Sequence, residues 1–283
     1  MTTAPTEAPE QRQRQLLERL HEHAQTLRTS EGWQRWLRLA TRFREYSLNN
    51  QLLIAMQRPD ATRVAGYKAW QALGRHVNKG ERGIAILAPL TRRARDDDDE
   101  GKRVLVGFKV VRVYDISQTS GEPLPRFSLP DVAGSSITIF DRLVAAAHAE
   151  ELEVRQQEQP SDWRGPRGWI VHANRTITLV DFGQGLDNMT RTLLHELAHY
   201  CDPEAASPDA RNGDPMLEIV AESAAWIVGA SVFGLEMIDA SSTYVASWLE
   251  SPALDEHLVA HAAERTLDVA KRLEALVTPV SSP

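Results

Sequence analysis

TRTLLHELAHYCD, residues 190–202, sets His195 and His199 four positions apart, with Glu196 directly after the first histidine. Read as a helix, the stretch stacks positions i and i+4 on one face, so both imidazoles can turn toward one metal ion while Glu196 leans toward a water beside it. Leu193, Leu194, Leu197 and Ala198 supply the apolar remainder that would bury such a helix. Three residues make a short pattern, so its surroundings have to carry the reading. Capping residues between Asp187 and Thr190 favour a helix start there, and TITLV (176–180) just upstream reads as a strand beside the site.

A reactive metal site needs a third protein ligand and an open position. Downstream, PMLEIVAESAAWIVG (215–229) offers Glu218 and Glu222 on one face of a second helix, with 18 residues between His199 and Glu218. Either carboxylate could ligate, the other then orienting a histidine. The arrangement resembles the gluzincin metallopeptidases, and that resemblance implies zinc held by His195, His199 and Glu218, with Glu222 hydrogen-bonded to a ligand histidine. Glu196 is then the catalytic general base, and Tyr244 is a candidate oxyanion donor. A second pair at the same spacing, His257 and His261, has neither a following Glu nor a downstream acid at ligand distance, and reads as a solvated helix face.

Composition sets the wider frame. With 42% hydrophobic and 25% charged residues, the chain has the makeup of a globular protein able to bury a core. The N-terminal MTTAPTEAPEQRQRQ lacks the apolar segment of a secretion signal, and no apolar run of spanning length stands out, so the expectation is a cytoplasmic protein without a membrane partner. The single cysteine, Cys201, fits a reducing compartment and reads as a small buried thiol.

Charge divides the chain. Residues 1–126 carry 22 Lys+Arg against 15 Asp+Glu, whereas residues 127–283 carry 10 against 24. A basic half next to an acidic half suggests two domains with different partners. Within 31–95 the count is 13 basic to 4 acidic, which marks that stretch as a candidate nucleic-acid surface. Its periodicity predicts helices over 10–29 and 31–57, a short helix near 66–73, and strands over 83–89 and 104–116, joined by the solvated acidic loop RRARDDDDEGKR. The Pro/Gly/Ser-rich stretch 119–136 places a domain boundary at 128/129. Beyond it come a helix near 139–152, strands over 168–173 and 176–180, the two site helices, and a helical region over 241–277.

YSLNNQLLIAMQRPDATRVAGYKAWQALGRHVNKGERGIAILAP (46–89) with VYDISQTSGEPLP (113–125) resembles the N-terminal single-stranded-DNA-binding domain of ArdC-type antirestriction proteins. LLHELAHY, EIVAESAAWIVGASVFGL and YVASWLE extend the resemblance over residues 30 to 275. It implies an α+β protein of two domains: a small N-terminal single-stranded-DNA-binding module (1–128) and a mostly helical zincin-like metallopeptidase domain (129–283). The residues add to this. Arg63, Lys68, Arg75, Lys79 and Arg82, with His76, are candidates to neutralise phosphates. Tyr67 and Trp70 are candidates to stack bases, and Asn50, with Asn49 and Gln51, to hydrogen-bond them. The expected activity is a single-stranded-DNA-binding zinc endopeptidase acting in antirestriction or on DNA-bound proteins. Occlusion of DNA without proteolysis, and cleavage of a mobile-element repressor, are the alternatives.

Overall fold

A computed structural model describes residues 16–20, 22, 24–93, 103–124, 138–158, 165–181, 185–207, 214–235, 249 and 255–278. Tyr244 and the acidic run 96–100 lie outside these residues. Backbone contacts divide the chain into two interleaved units, Met1–Thr26 with Glu45–Arg126, and Leu27–Arg44 with Phe127–Pro283. One crossing, at 126/127, falls inside the Pro/Gly/Ser-rich stretch. The other two, at 26/27 and 44/45, take the first long helix out of the N-terminal unit and give it to the second.

That transfer explains why the helix expected over 31–57 is two. Helix α1 (Ser30–Phe43), capped by the Thr29 hydroxyl accepting from the Gly32 N–H at 3.1 Å, belongs to the second unit. Helix α2 (Leu48–Gln57), capped by Ser47, belongs to the first. Apolar periodicity runs through both, but they bury it in different cores.

In the first unit, β3 (Ile84–Arg93) and β4 (Arg103–Asp115) form a long antiparallel hairpin with an irregularity at Leu90/Thr91. A short β1 (Val64–Gly66) pairs with the end of β4, giving the order β1-β4-β3. Helix α2 closes the outer edge of β3. The Asn50 side chain donates to the Leu87 carbonyl at 2.9 Å and accepts the Leu87 N–H at 2.8 Å; Gln57 does the same for Ala85 at 2.8 and 2.9 Å. Two amide side chains seven residues apart thus satisfy an edge that would otherwise invite another strand. A second ribbon pairs β2 (Arg75–Val77) with β5 (Thr119–Gly121), and helix α3 (Tyr67–Ala72) follows β1.

The segment DISQT builds the joint of this unit. Asp115 accepts the N–H groups of Thr62 and Arg63 at 2.8 and 3.0 Å and caps the turn Ile116–Gln118. Gln118 reaches the Glu81 carboxylate and the Arg82 carbonyl. Burial opposes ionisation of Asp115, but the hydroxyl and N–H of Ser117, at 2.6 and 3.0 Å, together with the N–H groups of Thr62 and Arg63, overcome it and hold its pKa below the ordinary range.

The second unit has a three-stranded sheet ordered β6-β8-β7, with β6 (Glu153–Glu158), β7 (Gly168–Val171) and β8 (Thr176–Asp181). β8 is central: parallel to β6, antiparallel to β7, with Ile177, Leu179 and Val180 buried. EVRQQE carries no apolar alternation to mark β6 as a strand. Its backbone pairing to β8 makes it a strand.

Helices α4 (Ile139–Ala149), α5 (Leu186–Cys201), α6 (Pro215–Phe233) and α7 (Glu256–Val277) complete the unit. By length and composition α6 could cross a membrane, its two glutamates notwithstanding. Here Ile219, Val220, Ala224, Ile227 and Val228 are fully buried among protein. Helix α1 packs on α6 through Trp33, Trp36 and Ala40, and the Trp33 indole N–H donates to Ser223 Oγ at 3.0 Å. Beyond α5, the buried Asp202 carboxylate takes two bonds from Arg265 of α7 at 2.5 and 3.0 Å.

Candidate metal centre

Helix α5 does not begin at one of the capping side chains near Asp187. It begins after Gly185, whose φ of 80° suits glycine and which provides no side-chain cap. Sixteen residues later it ends at Cys201. Leu193, Leu194, Leu197 and Ala198 are fully buried, which fixes the rotation of the helix and turns His195 and His199 toward α6.

The two Nε2 atoms approach to 3.1 Å, the rings lying edge to face. Glu218 meets both, with one carboxylate oxygen 3.3 Å from His195 Nε2 and the other 3.7 Å from His199 Nε2. One donor atom from each of His195, His199 and Glu218 fits within 4.8 Å of the others, the compactness a single ion requires. Glu222, one turn further along α6, lies instead at 2.9 Å from Nδ1 of His195. A carboxylate on Nδ1 keeps the proton there and leaves Nε2 as a lone pair facing the cluster. Without an ion, burial opposes charging His195, yet its bonds to Glu218 and Glu222 prevail and raise its pKa well above the ordinary value. Burial likewise opposes ionising Glu218, and the two histidines reverse that, holding its pKa well below the carboxylate range.

Glu196 occupies different surroundings. Only 5% exposed, it has its pKa raised by burial, opposed in part by the nearby histidines and, more weakly, by the backbone of Ile170 in β7. TITLV forms the central strand β8 and packs on α5, as expected of a strand beside the site, and the edge strand β7 packs on α5 next to it. Gly168 makes the approach possible: a Cβ there would stand 2.7 Å from Thr192 Cγ2, 3.1 Å from the Thr178 carbonyl and 3.3 Å from Glu196 Oε1. His172, in the turn after β7, is close enough to His199 and Asp202 to feel their charges, and burial lowers its pKa. Sequence reading missed Gly168, Ile170 and His172, because only the packing of β7 on α5 brings them here. A glycine opening an apolar strand was the one available signal.

His257 and His261 are exposed on α7, as expected of a solvated face. Cys201 is buried, and burial pushes its thiol pKa up to about 12, in keeping with a bland interior thiol.

The candidate DNA contacts separate into two groups. Arg63, Tyr67, Lys68, Lys79 and Arg82 are exposed on the first unit, with Tyr67 at 50%. Three others are occupied within the fold. Trp70 is 2% exposed and donates its indole N–H to the Tyr114 carbonyl at 2.9 Å, so it has no face for a base. Both ends of the Asn50 amide are committed to β3. The Arg75 guanidinium binds the Thr119 hydroxyl and the carbonyls of Thr119, Gly121 and Glu122, holding β5 to β2.

Residues 7–116 match the family described as the N-terminal domain of anti-restriction factor ArdC. Among solved structures, the antirestriction ArdC protein from the R388 plasmid is similar in its metal-free form, with a TM-score of 0.52 and 23% identity, covering 82% of this chain and 85% of that one. Its Mn(II)-bound form gives 0.52 and 22% over the same shares. An uncharacterized Bacillus anthracis protein, pXO2-81, is 26% identical over 249 residues, which is 74% of this chain and 41% of that protein. The DNA primase TraC of Escherichia coli is 28% identical over 218 residues, 70% of this chain and 15% of the primase. The chain thus spans less than half the length of these curated relatives. Residues 7–116 of the chain are thus similar to the ArdC N-terminal domain, and the fold as a whole is similar to that of the R388 ArdC protein.

Proposed function

We propose that this protein is a zinc-dependent peptidase that binds single-stranded DNA through its first unit and acts in antirestriction or on proteins bound to that DNA. The observation that carries the reading is the convergence of His195, His199 and Glu218 beside a buried Glu196. Two imidazole nitrogens and one carboxylate are a donor set suited to zinc with an open position, and the Mn(II)-bound ArdC relative favours a divalent ion. A bound zinc would supply Lewis acidity toward water and a peptide carbonyl.

The chain's own residues account for the rest. Glu222 keeps the His195 tautomer that turns Nε2 inward. Burial tunes Glu196 upward, toward the range in which a carboxylate can take a proton from water and return it to a leaving amine. For DNA, Arg63, Lys68, Lys79 and Arg82 supply exposed cations and Tyr67 an exposed ring, the pairing used by single-strand binders.

The test is metal content together with cleavage of an unfolded protein, with and without an oligonucleotide, for wild type and Glu196→Gln. Both should carry one equivalent of zinc, and the variant should lose roughly 10²–10⁴-fold in rate as its general base is removed. Equal zinc loss in Glu196→Gln and His195→Ala would reject the role given to Glu196. Full zinc with no cleavage under either condition would favour protection by DNA occlusion alone.

A further inference from the structure

The helix that changed units carries a feature the metal centre does not use. One side of α1, through Trp33, Trp36, Leu37, Ala40 and Phe43, is buried in the second unit, and Arg44 at its end pairs with Glu274 at 2.6 Å. The helix is held firmly. Its outer side presents Arg35, Arg38 and Arg42, all exposed. At about 100° per residue these three fall within an arc of roughly 60°, and at 1.5 Å per residue they span about 10.5 Å along the axis.

Arg35 pairs with Glu31 at 2.6 Å, both side chains well exposed. Among the described residues, Arg38 and Arg42 have no ion-pair partner. The stripe also stands out against its own unit, since residues 127–283 hold 24 acidic side chains to 10 basic. No large hydrophobic side chain of α1 is among those exposed, so the surface lacks the apolar centre of a protein interface. Three guanidinium forks in a row, on an anchored scaffold, match a ligand that repeats its negative charge at short intervals.

We propose that Arg35, Arg38 and Arg42 form a phosphate-tracking site for single-stranded nucleic acid on the metal-bearing unit, separate from the exposed cations of the first unit. This rests on the DNA-binding reading above and deepens it, by giving the unit that bears the metal its own grip on the strand. The contacts are to backbone phosphate, so they carry no base preference.

The test uses the full chain and a fluorescent oligothymidylate, with binding followed by anisotropy as salt rises from about 50 to 200 mM. For single strands each neutralised phosphate contributes about 0.7 to the slope of log K against log salt, so Arg35→Ala/Arg38→Ala/Arg42→Ala should flatten it by about 2. The corresponding triple lysine variant should keep the slope. Lys271→Ala/Arg272→Ala, which removes two exposed cations from α7 in the same unit, should leave it unchanged. Zinc content and melting temperature report that each variant is folded.

An unaltered slope in the triple alanine variant, with wild type binding normally, overturns the stripe alone. An equal loss in the α7 control overturns it in favour of bulk charge. Binding to polyaspartate that the same substitutions abolish, with oligonucleotide binding intact, would reassign the stripe to an acidic protein. If wild type fails to bind the oligonucleotide even at the lowest salt, the stripe and the DNA-binding reading fall together.

Discussion

Replacing Gly168 with alanine puts a methyl group where β7 meets α5, and the structure says what it would strike. The new carbon would lie 2.7 Å from Thr192 Cγ2, 3.1 Å from the Thr178 carbonyl oxygen and 3.3 Å from Glu196 Oε1. Carbon pairs rest at about 3.5–4.0 Å, so the Thr192 contact alone is short by roughly 1 Å. Overpacking of this kind costs about 1–3 kcal/mol, and a unit of this size should lose roughly 2–4 °C in melting temperature per kcal/mol. Thr192→Ser removes only Cγ2 and retains the hydroxyl that donates to the Asn188 carbonyl at 2.9 Å. In the double variant the worst contact is gone while the two to oxygen remain, so about half of the loss should return. Thermal melts of the four proteins, stripped of metal, close the cycle. A coupling of at least ~0.5 kcal/mol is expected between sites in contact. The catalytic readout should follow, because the same methyl presses on Glu196: cleavage should fall in Gly168→Ala while zinc stoichiometry holds. Additive melting shifts, or an unchanged Gly168→Ala, would refute the claim that the missing side chain sets the distance between β7 and α5.

Three further outcomes are expected. Glu218→Ala should abolish stoichiometric zinc at micromolar metal, whereas Glu222→Ala should weaken affinity by roughly 10–100-fold, as measured by chelator competition; the reverse order would exchange their roles. Without metal, the raised pKa of His195 means its contribution to stability is complete below about pH 6.5 and is lost as pH rises through the folded value. The depressed Glu218 contributes above its ordinary value near 4.5 and is lost as pH falls. Because zinc must displace the His195 proton, affinity should climb with pH, and the gap between melting temperatures with and without zinc should widen from pH 6 to 8. A gap that narrows would contradict the coupling. Finally, a fragment of residues 45–126 should fold and melt cooperatively, while one of residues 1–128 carries α1 with Trp33 and Trp36 stripped of their partners and should be the more prone to aggregate, as light scattering would report.

Local spacing was enough to put His195 with His199, and Glu218 with Glu222, on shared helix faces, because four residues make little more than one turn. The exposed pair His257/His261 has the same spacing and was set apart by what it lacks, a Glu directly after the first histidine and an acid at ligand distance downstream. Spacing could not say which glutamate faces Nε2. Two acids one turn apart look alike along a sequence, and only the packing of α6 on α5 puts Glu218 at both Nε2 atoms and Glu222 at Nδ1. Polar and aromatic residues of the basic stretch were equally mute. Asn50, Arg75 and Trp70 have the chemistry to bind DNA, but their hydrogen-bonding groups are committed to Leu87, to the β5 carbonyls and to Tyr114, at sequence separations of 37 to 47 residues. The break between α1 and α2 is of the same kind. Periodicity reports that a helix has an apolar face, while which core receives that face depends on contacts far along the chain. In α1 that contact is Trp33 with Ser223, 190 residues away.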